Sequence, residues 1–245
     1  MSLNVTLNEK ELSNFSKHAN SWWDDKGVYA SLHALNPTRL SFIHSLISKN
    51  FPSSPPSSLE ILDVGCGGGL VCEPLSRLGY TVTGLDACPA AIEVATSHAT
   101  EGGLSINYLC TSAEELAKEN KTFDVITCLE LVEHVDNLEI LFRSLKTLLK
   151  KDGLLFVSTL NKTAESYLKG IIAAEWILNW VPKGTHTWSK FLKPSELEEI
   201  AAKQGFELKK LQGLSYSPFS GFYLSLDLNV NYFAVFKSLS APLKD

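Results

Sequence analysis

The chain lacks most of what a secreted, membrane-spanning or nucleic-acid-binding protein needs. Its five cysteines, Cys66, Cys72, Cys88, Cys110 and Cys128, are odd in number and include no C-x-x-C pair. That excludes a zinc ribbon and a disulfide framework, and it suits a reducing compartment. No apolar run reaches the ~18–20 residues that a bilayer-spanning helix requires. Met1 to Phe15 has no basic n-region, no apolar h-region and no Arg-rich, acid-poor character. The expectation is a protein that acts where it is made, in the cytoplasm. Basic charge is also scarce, with 22 Lys and Arg against 27 Asp and Glu and a net charge of -5. A general nucleic-acid binder would carry a basic face instead. What is present is a globular composition, 44% hydrophobic and 20% charged over 245 residues. That excludes a disordered or collagenous chain and can bury a large core.

Phe51 to Ser58 holds three prolines and four serines and cannot sustain a helix. It divides an N-terminal helical cap with its linker, residues 1–58, from a core over 59–245. Within the core, strands are expected at Leu59–Val64, Thr81–Leu85, Ile106–Cys110, Phe123–Leu129 and Leu154–Leu160. Helices are expected between them at Leu70–Leu78, Pro89–Ala99 and Leu138–Leu149, the last with Lys150 and Lys151 at its negative end. Ser112 and Glu115 have capping-box spacing and open a further short helix. Strands that are near-continuous apolar runs point to a parallel sheet covered on both faces. The fold class is therefore α/β, a doubly wound, mostly parallel sheet. After the fifth strand the pattern breaks into a helical insertion over 161–192, with a helix at Thr163–Val181. A helix at Pro194–Gln204 and late strands at Glu207–Leu211 and Val230–Phe236 follow. The N-terminal helices and the insertion are expected as caps over the sheet's carboxyl edge.

The strongest chemical signal is Asp63-Val64-Gly65-Cys66-Gly67-Gly68-Gly69 after the first strand. Glycines permit a tight turn and let backbone N–H groups approach a ligand, and the loop leads into a helix N-terminus. Asp86 ends the second strand, 21 residues after Gly65, where an acid can accept both hydroxyls of a ribose. A glycine turn alone is weak, but a turn and an acid at this spacing point to a nucleotide-type ligand. Position 70 is Leu, so the third glycine of the dinucleotide fingerprint is missing. Asp63 beside the loop repels a pyrophosphate and attracts a sulfonium. This favours S-adenosylmethionine over NAD, with Asp63, Gly65, Gly67 and Asp86 as cofactor residues. The pattern D-x-G-x-G-x-G resembles the first motif of class I methyltransferases, a likeness that implies an adenine position at Ser112-Ala113.

The fourth strand runs into Cys128-Leu129-Glu130-Leu131-Val132-Glu133-His134-Val135 at the carboxyl edge. A phenol with a pKa of about 10 is roughly one part in a thousand ionised at neutral pH, so methylating it calls for a base or a metal. His134 suits the base, with Glu133 beside it. Glu130, Glu133 and His134 equally suit a divalent cation such as Mg²⁺, Mn²⁺ or Zn²⁺. A plain loop closing the adenosine pocket is the third reading. Spacing does not separate base from ligand, whereas chelation would.

Further motifs narrow the reading. They are Phe15, Ala19, Trp22-Trp23-Asp24, Leu32-His33, Asn36-Pro37 and Arg39-Leu40, then Val181-Pro182-Lys183-Gly184-Thr185-His186, Trp188, Lys190-Phe191 and Pro194, and finally Gly213-Leu214, Tyr216, Pro218 and Val230-Asn231-Tyr232. With the glycine loop and C-x-E-x-x-E-H-V, they resemble the ubiquinone-biosynthesis O-methyltransferase family from about Glu11 to Phe236. The resemblance implies two O-methylations, of a polyprenyl catechol-type intermediate and of demethylubiquinol. It also implies cofactor roles for Arg39, Gly65, Asp86 and Leu129. Arg39 lies far from the glycine loop in sequence, and without the resemblance a surface ion pair would explain it equally well. The chain departs from the pattern at Thr187, where the family often has Asp. Trp22 and Trp23 suit either core packing or a lid over the substrate. His33 and His186 suit structural or direct roles.

Residues 164–182 form an unusually apolar helical pattern whose narrow polar stripe is Glu165, Lys169, Glu175 and Asn179. It is too short and charged to span a bilayer, and it suits either a buried cap or an interfacial segment with Trp176 and Trp180 at headgroup depth. A polyprenylated phenol is a membrane-resident substrate. The expectation is peripheral association with the inner face of the membrane through 164–182, alongside other ubiquinone-biosynthesis enzymes and without nucleic acid. The rivals are an O-methyltransferase of another small phenol, an NAD-dependent oxidoreductase, a nucleic-acid methyltransferase and a non-catalytic scaffold. The loop sequence opposes the second, and the charge opposes the third. Intact cofactor motifs oppose the fourth.

Overall fold

The computed structural model describes residues 16–166 and 188–239. The strands are β1 (Glu60–Val64), β2 (Thr81–Asp86), β3 (Asn107–Cys110), β4 (Phe123–Leu129), β5 (Leu149–Leu160), β6 (Phe206–Ser217), β7 (Gly221–Ser225) and β8 (Asn231–Ser238). They form one sheet in the order β3-β2-β1-β4-β5-β8-β6-β7. The first five in that order pair in parallel, and β8, β6 and β7 continue antiparallel. The expected doubly wound, mostly parallel sheet is present. Its order reverses between β1 and β4, which opens a crevice at their carboxyl ends.

The helices are α1 (Ala30–Asn50), α2 (Cys72–Arg77), α3 (Pro89–Glu101), α4 (Ala113–Leu116), α5 (Leu138–Leu148) and α6 (Pro194–Lys203). Alternation along the strands builds a core on each face. Leu62, Ile126, Leu155 and Phe236 pack with α5 and α6 through Leu141, Phe142, Leu145 and Leu197. Ile61, Val125, Phe156 and Phe233 pack with α1 and α2 through Phe42, Ile43, Ile47 and Leu75. Each such aliphatic or aromatic side chain, fully buried, contributes about 1.5–3 kcal/mol.

Three local expectations change. The second half of α1 lies on the sheet face rather than capping its edge, because Phe42, Ile43 and Ile47 share the apolar layer of Ile61 and Val125. Lys150 does not cap a helix dipole. It lies in β5, whose start is five residues earlier than the expected Leu154, and it pairs with Glu60 at 2.7 Å and Asp124 at 3.0 Å. The late part of the sheet is larger than expected, since β6 runs on to Ser217 and β7 is a strand the sequence pattern does not mark. Both are half-exposed, so they carry no continuous apolar run. Of the expected helix at Thr163–Val181, a short helical turn at Ala164–Ser166 is described. Residues 167–187, with His186, Thr187 and most of the expected membrane segment, lie outside the described residues. Among those described, no helix is long and apolar enough to cross a membrane.

Candidate active site

The site grows from the β1 carboxyl end. Gly65 and Cys66 N–H groups both donate to Leu85 O, at 2.9 and 3.0 Å, which folds the chain back across the end of β2. Gly67 then takes a left-handed φ of 52°, a conformation open to glycine. A Cβ at Gly67 would lie 2.4 Å from the Trp22 ring, so the close approach of the indole also needs glycine there.

Asp86 closes the other side. Its carboxylate accepts from Gly67 N–H at 2.9 Å and Cys88 N–H at 2.8 Å. Burial raises its pKa, and the backbone N–H groups of Cys88, Gly67 and Ala87 oppose that rise. The expected pairing of glycine loop and strand-end acid is thus realised as direct contact. A cleft beside it is lined by Gly65, Asp86, Thr111, Ser112, Ala113 and Leu131. Ser112 also caps α4, its Oγ accepting from Glu115 N–H at 3.3 Å.

Asp63 is buried beneath the loop. Thr127 Oγ1 donates to its Oδ1 at 2.6 Å and Cys72 Sγ to its Oδ2 at 3.4 Å. Burial nevertheless pushes its pKa up to about 6, against these hydrogen bonds and the nearby Arg39 charge. By charge alone, Asp63 is expected to await a ligand cation. The structure supplies a cation from the chain itself. Arg39 is also buried, and burial lowers its pKa against the opposing charges of Glu130 and Asp63. Its Nε donates to Asn36 Oδ1 at 2.7 Å, and Asn36 Nδ2 donates to Leu70 O at 2.6 Å, which ties Arg39 to the end of the glycine loop. A sequence signal for Arg39 does exist. It interrupts the α1 stripe Leu35, Arg39, Ile43, Ile47, where each position lies four after the last and is buried. A cation on an apolar helix face needs an internal partner.

The turn after β4 holds the other acids. Glu130 has a left-handed φ of 52°, and its N–H donates to Ser158 O at 3.0 Å. Its Oε1 accepts from Ser158 Oγ at 2.7 Å, and Asn231 Nδ2 lies 3.2 and 3.3 Å from its two oxygens. Glu133 Oε2 accepts from Thr159 Oγ1 at 2.9 Å. Glu133 and His134 are buried, while Leu131 and Val135 on either side line the cleft. Leu129 ends β4 in the core, packed with Phe156. Among the described residues no three His, Cys, Asp or Glu side chains gather closely enough to hold a cation. In this arrangement Ser158 and Asn231 hold the Glu130 carboxylate, and Thr159 holds that of Glu133. Ser158 and Thr159 carry no sequence signal for this role, and Asn231 is marked only as part of the Val230-Asn231-Tyr232 motif.

The tryptophan pair meets the loop directly. Trp22 lies across Gly67 and Gly68 and stacks on Tyr29 at 3.9 Å and 4°. Trp23 Nε1 donates to Gly68 O at 3.0 Å, and its ring stacks on His98 at 3.6 Å. His33 Nε2 meets Trp22 O at 2.8 Å, a structural contact. The tryptophans therefore wall the glycine loop.

A methyltransferase-domain family profile matches residues 35–211. The ubiquinone biosynthesis O-methyltransferase of Rickettsia canadensis is 45% identical over 229 residues, 93% of this chain and 96% of the relative. That of Pelagibacter ubique is 44% identical over 94% of this chain and 98% of the relative. The mitochondrial one of Arabidopsis thaliana is 43% identical over 94% of this chain and 74% of the relative. Among solved structures, the plantazolicin methyltransferase BpumL with SAH matches at a TM-score of 0.65 and 19% identity, over 94% of this chain and 97% of its own. Magnesium protoporphyrin IX methyltransferase of Synechocystis PCC 6803 with SAH matches at 0.63 and 16% identity, over 92% and 94%. The structural likenesses show the fold, and the sequence relatives show the family: this chain belongs to the ubiquinone biosynthesis O-methyltransferases.

Proposed function

We propose that this protein binds S-adenosylmethionine in the β1–β4 crevice and methylates phenolic hydroxyls of a polyprenyl catechol-type intermediate and of demethylubiquinol. The observation that carries the reading is the joining of glycine loop, Asp86 and Arg39 at one switch point. A carboxylate held at the end of β2 suits a ribose, and a buried guanidinium suits the methionine carboxylate. Thr111 to Ala113 suit the adenine. The relatives' names supply the substrate class.

When bound, the cofactor supplies an electrophilic sulfonium methyl. The chain's part is to orient that group, to exclude water and to take a proton from the phenol. His134, buried beside the cleft wall with Glu133 held by Thr159, is the base in this reading. The apolar sequence of 164–182 supports contact with a bilayer surface, where a polyprenyl tail resides. Equal liposome flotation of wild type and Ile171→Glu/Ile177→Glu would refute that contact.

The test of the reaction is methyl transfer to a short-chain prenylated catechol. Wild type should form the methyl ether, and His134→Ala should lose roughly 10²–10⁴-fold in kcat with the cofactor Kd little changed. Cofactor binding without transfer to any catechol would overturn the substrate assignment.

A further inference from the structure

The wall over the glycine loop has an unmatched polar group. Trp22 is 8% exposed, and its Nε1 is buried without an acceptor among the described residues. A buried N–H left unpaired is costly, so native structures almost always provide a partner. The indole is not free to seek one. Its six-membered ring rests on Gly67, and its Cβ and Cγ rest on Gly68. Tyr29 stacks on it, the Trp22 backbone N–H donates to Ala19 O at 3.3 Å, and His33 holds its backbone carbonyl. Neighbouring Trp23 is fastened to Gly68 O. The donor is thus fixed beside the loop, and at the loop's far end Leu70, which packs with Trp22, accepts from Asn36, the partner of Arg39.

We propose that Trp22 is a cofactor-binding residue whose indole N–H donates to the methionine carboxylate of S-adenosylmethionine. The inference rests on the proposed placement of the cofactor and adds a contact to it. A sulfonium offers no acceptor, and the ribose and adenine ends face Asp86 and Ser112. The carboxylate is the acceptor left for a donor on Gly67. A guanidinium and an indole N–H together offer it two hydrogen bonds, both strengthened by the carboxylate charge.

The test is calorimetric binding of two ligands to the whole chain. S-adenosylhomocysteine keeps the carboxylate, whereas 5′-methylthioadenosine keeps the adenosine and thioether but lacks it. Trp22→Phe retains the stack on Tyr29 and removes the N–H. It should weaken S-adenosylhomocysteine by roughly 10- to 100-fold and leave 5′-methylthioadenosine within about twofold. Retained 5′-methylthioadenosine binding also shows that the variant is folded. Equal weakening of both ligands would overturn the proposal in favour of a packing wall. No weakening of either would overturn it in favour of a water on the N–H. Failure of wild type to bind S-adenosylhomocysteine would overturn the cofactor placement itself.

Discussion

Replacing Asp63 by Asn should uncouple the site's stability from pH. Burial raises the Asp63 carboxyl from 3.8 to about 6. At ~1.4 kcal/mol for each pH unit, that rise corresponds to about 3 kcal/mol between the protonated and ionised forms. For an acid whose folded pKa is raised, the contribution is fully present below pH ~3.8 and is lost as pH rises through ~6. At pH 7 the wild-type protein therefore carries an ionised buried carboxylate at a cost of about 3 kcal/mol, and the amide does not. The observable is the unfolding free energy of Asp63→Asn minus that of wild type. It should grow by about 2.4 kcal/mol between pH 4 and pH 7 and then level off, read by urea titration of tryptophan fluorescence at each pH. The amide cannot accept from both Thr127 and Cys72 as the carboxylate does, so the absolute difference is offset, but its slope with pH is not. A flat difference would refute the argument. A difference that shrinks as pH rises would show that attraction to Arg39 outweighs burial.

Thr127→Val tests the same carboxylate from the opposite side. Removing the 2.6 Å donor disfavours ionised Asp63, so the variant should lose about 1–3 kcal/mol at pH 8 and distinctly less at pH 4, read by the same titration. Gly67→Ala places a Cβ 2.4 Å from the Trp22 ring at a left-handed φ of 52°. It should cost about 1–2 kcal/mol in backbone conformation alone and displace the indole, shifting its emission to the red. Unchanged emission would show that the ring does not rest on Gly67.

The legible parts of the site are those written within one strand–turn–helix unit. Gly65, Gly67 and Asp86 follow from spacing because a tight turn after β1 and an acid at the end of β2 are local requirements. Glu130, Glu133 and His134 are assigned correctly to the turn after β4, yet their relation to one another is not legible. Their carboxylates go where Ser158, Thr159 and Asn231 draw them, and those residues come from β5 and the antiparallel β8. Charge near the loop does not reveal that Asp63 feels the charge of Arg39, because α1 packing against the sheet buries both. The buried stripe from Leu35 to Ile47 is the one local trace of that pairing.

By itself, the sequence determined five parallel strands, their covering helices and a nucleotide-type turn, because hydrophobic period, glycine and caps act over a few residues. It also determined the family, through motifs spread from Trp22 to Tyr232. Only the tertiary structure decided which side chains share the crevice. The reversal of strand order between β1 and β4 opens it, and α1 buries a cation, Arg39, in a fold that also buries the acid Asp63. The segment before α1 brings an indole onto glycines that leave room for it. Those contacts depend on long-range packing, which local spacing does not encode.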